Sequence, residues 1–422
     1  MNVKISNLPM KDKSGKPLEN EGTPILRSAL VSTKDIKEGD VIYKENAVVT
    51  ALDLDLQVGS PNHCTHCMQE IDIPITVPDD PLEAVYCSTT CHMSSKAQSQ
   101  NALFGLEPPL PLAPEDDDQK PKTDEELEAR KKAQEDFIQL LRNTGATRPL
   151  LVARFVACMV AEQSAKLGAA TPTSLSSKPP SPAEIFGLPE PEGDDSAYSF
   201  HDHIERLRFL EIVENPAEIA EMEALKKVLQ TAMEGLEGFV GDRYALLKGK
   251  MAYNAIGVCI NGGRDDKPLV TVRPEDVERT RTPYGTSRQS GSAFYRVSSY
   301  LSHSCAPNTR PEFTAGTAEL YLIANRDIPA GTELTMAYVD VNQGPSETRL
   351  EARRRRRQEL ARGWRFACEC ERCLKELEEG ILKEDEKKDE DENLNVGEGA
   401  KLEEAVMRYG TEEQRPGPAE AE

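Results

Sequence analysis

The sequence predicts an α+β protein, with strands concentrated in its first and last thirds and helices in the middle. Three observations lead to that class. Apolar and polar residues alternate over residues 25–49, and strand patterning returns over 292–340. Residues between 125 and 260 carry a helical period. Eight of the ten cysteines fall into two sets with metal-ligand spacing.

Taken in order, residues 1–20 are polar and hold no apolar stretch, so no secretory signal is expected. Residues 25–49 read as a hairpin-like start around a turn at Lys37-Glu38-Gly39-Asp40. Residues 62–98 are cysteine-rich and form a small metal-held module. Residues 107–124, rich in Pro and Asp, read as a linker. Helices follow over 125–141, with paired charges, and over 150–167, more buried. Residues 168–195, rich in Pro, Ser and Thr, read as a disordered loop. Helical period resumes over 200–236 and 242–260, and 262–291 is a polar loop. Residues 319–324 are an apolar strand, 328–332 a turn and 333–338 the next strand. An Arg-rich helix over 347–360 leads to Trp364 and the last cysteines.

The 422 residues suffice for two or three domains, or for one large domain with insertions. Only 38% are hydrophobic and 5% aromatic, which suits a core interrupted by polar segments. No apolar run is long enough to span a bilayer, and no membrane association is expected. The net charge of −22 is unevenly spread, and the tail after Leu374 is strongly acidic. Acidity disfavours non-specific binding to DNA, so no specific nucleic acid partner is expected. It favours basic partners such as histones or ribosomal proteins; a tail that only maintains solubility would carry the same charge.

Cysteines in paired spacing without a signal peptide point to zinc rather than disulfides. Cys64-x-x-Cys67 and Cys87-x-x-x-Cys91 suit one tetrahedral zinc. The neighbouring His63, His66 and His92 read as bystanders. Cys368-x-Cys370-x-x-Cys373 lacks one ligand, which Cys305 can supply. Cys158 and Cys259 lie in apolar surroundings and read as core residues. Arg353 to Arg357 form a five-arginine block. Such a block serves as a localisation signal or RNA contact, or, the reading favoured here, as a solvated helix face.

The C-terminal half carries an ordered set of motifs. Tyr300-Leu301-Ser302-His303-Ser304-Cys305-Ala306-Pro307-Asn308 precedes Gly331-Thr332-Glu333-Leu334-Thr335-Met336-Ala337-Tyr338, and then comes Phe366-Ala367-Cys368-Glu369-Cys370-Glu371-Arg372-Cys373. This order resembles a SET domain with a post-SET zinc site, and the SET-and-MYND protein lysine methyltransferases, their fungal members most of all. The resemblance implies a β-rich SET fold with a pseudoknot, split by a zinc finger and a helical insert. Its parts would be N-terminal SET strands (20–60), a MYND-like half finger (61–100), a helical insert with disordered loops (101–240), the SET core (241–345), the post-SET segment (346–374) and an acidic disordered tail (375–422). The finger is half a MYND because only the first zinc's ligands are matched; the second C-x-x-C and the final His and Cys are missing.

The resemblance further implies S-adenosylmethionine as cofactor, two zinc ions, and a basic protein substrate such as histones, with histone H4 favoured. It implies a monomer found in nucleus and cytoplasm. Tyr338 matches the catalytic tyrosine, whose hydroxyl would orient the amine and the methyl group; a strand tyrosine packing its ring is the plainer alternative. His303, Asn254, Ser299 and Ser302 match cofactor contacts, and Phe366 the aromatic over the adenine. Ile256 and Trp364 fall at substrate-channel positions. Three positions depart from the family pattern. Arg27-Ser28-Ala29 replaces a Gly-x-Gly that lets backbone approach the cofactor, Ser302 replaces an asparagine, and Ile256 replaces an aromatic. A SET fold retained only for protein interaction is therefore the rival reading, and a Cys305–His303 hydrolase a third.

Overall fold

A strand that the polar N-terminus conceals begins the fold: β1 (Val3–Pro9) pairs antiparallel with β2 (Leu26–Ser32), from Val3 opposite Ser32 to Pro9 opposite Leu26. The computed structural model describes residues 2–10, 16–20, 22–57, 62–107, 123–170, 200–268 and 277–388. The expected linker and the expected loop over 168–195 lie largely outside these residues, as does the chain after residue 388.

Residues 25–49 do not form a hairpin. The turn is present, with Gly39 at φ 83°, a conformation that glycine adopts without penalty. Yet β2 turns to β1, and β3 (Val41–Glu45) pairs with a strand almost 280 residues away in sequence, Leu320 facing Glu45. Alternation identified both strands but not their partners, because period two reports a buried face and carries no pairing information.

β4 (Val49–Leu52) runs into the cysteine module, where β5 (Ile75–Thr76) pairs with β6 (Val85–Tyr86) and α1 (Thr89–Ser95) follows. The Ser88 side chain caps α1 by accepting from the Cys91 N–H. The module has a small core of its own, built from Cys64, Ala84 and Tyr86. Met68 leaves it to join the main core.

The insert supplies α2 (Asp124–Thr144), α3 (Arg148–Ala170), α4 (Phe200–Arg206), α5 (Pro216–Ala232) and α6 (Tyr244–Asn254). A Thr123/Glu126 capping box starts α2 and Gly145, at φ 65°, ends it. Residues 150–158 of α3 are all buried, and β4, α6 and the helical turn at Lys96–Gln100 pack around this helix. The helical stretch expected over 200–236 is broken at 207–215. Asn215 caps a new helix at Pro216, whose missing N–H is tolerated only in a first turn. Likewise α6 stops at Asn254, and β7 (Ile256–Val258) is a strand where helix was expected.

β8 (Gly291–Phe294) lies between β4 and β7. A Cβ at Gly291 would sit 2.4 Å from the Ala51 carbonyl oxygen, so only glycine permits this approach. β9 (Ser302–His303) runs parallel to β12 (Thr335–Met336), while β10 (Thr309–Glu312), β11 (Leu320–Ala324) and β3 form a separate three-stranded sheet. The strand expected over 333–338 is laddered only at β12. It is nonetheless held on several sides: Leu334 N–H donates to Leu30, Ser304 N–H to Met336 and Thr282 N–H to Tyr338. Finally α7 (Arg349–Trp364) is followed by α8 (Glu371–Lys388). The disordered tail expected from residue 375 is therefore contradicted as far as Lys388, where the i,i+4 spacing of Glu371 and Lys375 supports another helix; the rest of that tail lies outside the described residues.

Candidate active site and two cysteine centres

The turn Ser298–Tyr300 is pinned from below before β9 begins. Buried Glu45 accepts from the Val297 and Ser298 N–H groups (2.6 and 2.9 Å) and from the Ser298 hydroxyl (2.6 Å). That anchor sets Leu301, Ser302 and His303 against Tyr338. The Tyr338 N–H donates to His303 Nδ1 (3.1 Å), so in the neutral ring the proton is on Nε2, 3.3 Å from the Cys305 sulfur. Burial pushes the imidazole down to about 4, so it is neutral. Both nitrogens of His303 are thus engaged within the protein, and only the ring remains to face a ligand.

Tyr338 is buried, and its hydroxyl donates to the Leu301 carbonyl (2.6 Å). Burial pushes the phenol up to about 12 against the pull of Arg281, so Tyr338 is a neutral donor and not a phenolate. Its ring meets His303 at 5.3 Å, Trp364 at 5.4 Å and Phe366 at 6.4 Å. The Tyr338, His303 and Phe366 rings border a cavity of about 490 Å³, lined also by Leu8, Pro9, Met10, Arg27, Arg208, Tyr253, Ser302, Glu333 and Glu369. The volume is in the range of small-molecule sites. A second cavity of about 750 Å³ lies against α8, but no aromatic ring lines it and its charges are largely paired, Arg349 with Glu379 and Arg372 with Glu376.

Of the residues expected at the site, Ser302, His303, Tyr338 and Phe366 line the cavity. Asn254, Ser299, Ile256 and Trp364 are buried and do not. Both N–H donors of Asn254 are committed, to Arg208 and Lys250 carbonyls, and its Oδ1 accepts from Arg281. It thereby holds the backbone of Arg208, which does reach the cavity. Ser299 donates to the Tyr295 carbonyl. Ile256 pairs with Ala293 inside the sheet. Trp364 backs the Tyr338 ring and donates to the Tyr253 carbonyl (3.1 Å).

Arg281 lies in a segment whose sequence reads as a polar loop, and nothing in the local sequence marks it. Fully buried, it stacks over Tyr338 (4.4 Å) and Tyr253 (5.0 Å) and donates to the carbonyls of Tyr253 and Ser299 and to Asn254. Arg281→Met would orphan several buried acceptors at about 1–3 kcal/mol each. A loss of at least about 3 kcal/mol in urea unfolding is therefore expected; a change below about 1 kcal/mol would contradict this bracing role.

Both cysteine sets converge. All four sulfurs of Cys64, Cys67, Cys87 and Cys91 lie within 4.8 Å of one another, as do those of Cys305, Cys368, Cys370 and Cys373. Observed separations of 3.5 to 3.8 Å match the roughly 3.8 Å edge of a tetrahedron with metal–sulfur bonds of about 2.3 Å. Hydrogen bonds from neighbouring thiols, Cys67 first for Cys64 and Cys305 first for Cys370, hold one thiol in each set far below its ordinary range. The donor sets fit a thiophilic metal ion. His63, His66 and His92 belong to neither set, and Cys158 and Cys259 are buried in the core. Cys305, buried among three sulfurs, is not exposed as a nucleophile.

The arginine block is not a solvated face. Arg353, Arg356 and Arg357 are buried. Arg353 donates to the Cys373 carbonyl and Arg357 to that of Cys368 (2.8 and 2.7 Å), while Arg356 pairs with Glu376. The remaining Nε and Nη1 of Arg356 are buried, with the Cys305 thiol as a hydrogen-bonding neighbour of the guanidinium. Although burial opposes its charge, Cys305 and Glu376 favour the guanidinium. A buried cation suits a four-thiolate site, whose charge with a divalent metal would be negative. Helical arginines here face the loop that they brace, which sequence period alone does not distinguish from facing water.

With this geometry established, similarity to known proteins becomes informative. Residues 28–339 match the SET domain. Over 99 residues the chain is 33% identical to the protein-lysine N-trimethyltransferase SMYD5 of Gallus gallus, covering 24% of this chain and 22% of that protein. Over 90 residues it is 42% identical to the histone-lysine N-methyltransferase SET5 of Meyerozyma guilliermondii, covering 21% of this chain and 17% of that one. The Saccharomyces cerevisiae SET5 shares 34% over 125 residues, 29% of this chain and 22% of the relative. The chain spans about a fifth of the length of the curated relatives it matches.

Proposed function

This chain belongs to the SET domain family, and we propose from that premise that it is a protein-lysine methyltransferase dependent on S-adenosylmethionine. The observation that carries the reading is the neutral Tyr338 hydroxyl at the wall of a small-molecule cavity, held between the His303, Phe366 and Trp364 rings. When bound, S-adenosylmethionine supplies an electrophilic methyl group for in-line displacement.

The protein's own task is alignment. The Tyr338 hydroxyl and the Leu301 carbonyl form a polar spot among rings, suited to orient an arriving amine. The aromatic walls accommodate a lysine stem and its cationic head. Neither His303 nor Glu333 is suited to take the proton: His303 is neutral with both nitrogens engaged. Glu333, despite burial, is held below its ordinary range by the hydrogen bond and charge of Arg27. In this reading the amine arrives deprotonated.

In this reading the substrate is a basic protein, histone tails foremost and histone H4 by likeness to the fungal members. The names of the relatives, histone-lysine and protein-lysine methyltransferases, support that class. A histone substrate puts the activity in the nucleus, with a cytoplasmic pool as well. Zinc is assigned to both cysteine sets, the second fastening the Phe366 segment over His303 and Tyr338.

Incubation with labelled S-adenosylmethionine and core histones tests the reading. Label on a histone is expected; absence of label on histones and on other basic proteins, from folded and zinc-loaded protein, overturns it.

A further inference from the structure

Resting on the cofactor reading above, we propose that Arg27 and Glu333 form a clasp for an α-amino-acid zwitterion, the amino-acid end of the nucleoside that this cavity takes. Arg27 stands where the family pattern has a backbone-approach glycine, and its side chain lines the cavity. It runs along one wall and meets Glu333 through two parallel hydrogen bonds, Nη1 to Oε1 at 2.6 Å and Nη2 to Oε2 at 2.8 Å. The same Nη1 donates to the Ser302 hydroxyl at 2.9 Å. Both partners stay about a quarter exposed, 23% and 24%, and both line the cavity.

A pair serving only the fold has no need to sit open on a cavity wall. Arg208 lines the same cavity, donates to the Tyr253 hydroxyl (3.1 Å) and lies near enough to lower Glu333 further. Two guanidinium groups and the Glu333 and Glu369 carboxylates thus line the same cavity as the rings of Tyr338, His303 and Phe366. A zwitterion matches the Arg27, Arg208, Glu333 and Ser302 groups: its carboxylate takes guanidinium donors, and its ammonium donates to Glu333 or Ser302. The rings take a flat heterocycle. The substitutions at Arg27 and Ser302 are then one linked device, since the shorter serine leaves room for the guanidinium to bond both it and Glu333.

Calorimetric titration with two nucleosides tests the clasp. S-adenosylhomocysteine carries the amino-acid end; 5′-methylthioadenosine keeps adenosine and sulfur but lacks it. The native protein is expected to prefer the first by at least about 100-fold. Arg27→Met is expected to weaken S-adenosylhomocysteine about 100-fold and to leave 5′-methylthioadenosine within about twofold. Should Arg27→Met fold poorly by thermal melting, Glu333→Gln reads the same preference, which is expected to fall about tenfold. Equal affinity of the native protein for both nucleosides overturns the clasp and leaves the cofactor reading standing. Tighter S-adenosylhomocysteine binding by Arg27→Met also overturns the clasp, showing Arg27 to be an obstruction. Binding of neither nucleoside overturns the cofactor reading and the clasp with it.

Discussion

Tyr338→Phe is expected to lower kcat for methyl transfer by about 100-fold or more, with little change in stability or in S-adenosylhomocysteine affinity. The hydroxyl makes one hydrogen bond, to the Leu301 carbonyl, and Arg281 also donates to that carbonyl at 3.4 Å. Its removal should therefore cost the fold only about 1 kcal/mol. The ring contacts with His303, Trp364 and Phe366 survive in phenylalanine. What is lost is the neutral hydroxyl that aligns amine and methyl, an interaction felt in the transition state more than in the ground state. Steady-state rates, with calorimetry as the binding control, check this. Unchanged kcat would reduce Tyr338 to a packing residue.

Cys368→Ser is expected to remove one of two bound zinc ions and to loosen the segment that carries Phe366. Native protein should hold about two zinc ions and the variant about one, by atomic emission on exchanged samples. Structural zinc is worth about 10–16 kcal/mol in small fingers, so its loss exceeds what the surrounding contacts can replace. It would also leave Arg353, Arg356 and Arg357 bracing a loop without its centre. Hydrogen exchange should rise first near residues 366–373. Unchanged metal content would contradict the Cys305, Cys368, Cys370 and Cys373 site.

The sequence made both cysteine sets legible because thiolate spacing is a direct constraint on coordination, and the converging sulfurs agree with it. Ser302, His303, Tyr338 and Phe366 were legible as a group because their motifs follow one another in a family order. Other features were not. β1 is a half-exposed strand with polar residues on its open face, so it lacks the apolar alternation that betrays a buried strand. Pro9 and Met10 then reach the cavity from a segment read as a plain polar start. Arg208 arrives from the break between α4 and α5, which helical period spanned without a sign of interruption. Arg281 and the arginine block show a common difficulty. An arginine reads as solvated unless its acceptors are known, and here those acceptors are mostly backbone carbonyls distant in sequence or close only through a turn. Asn254 illustrates the reverse: a motif identified it, and burial turned its amide inward.

The central claim is that the Tyr338 cavity transfers a methyl group to lysine. Peptide mapping by mass spectrometry of core histones treated with the zinc-loaded protein and S-adenosylmethionine tests it most directly. The account predicts a methyl mass gain on a lysine side chain that disappears when Tyr338→Phe is used at equal concentration. Methylation that persists undiminished with the variant, or no gain on any lysine while S-adenosylhomocysteine binds, would contradict it.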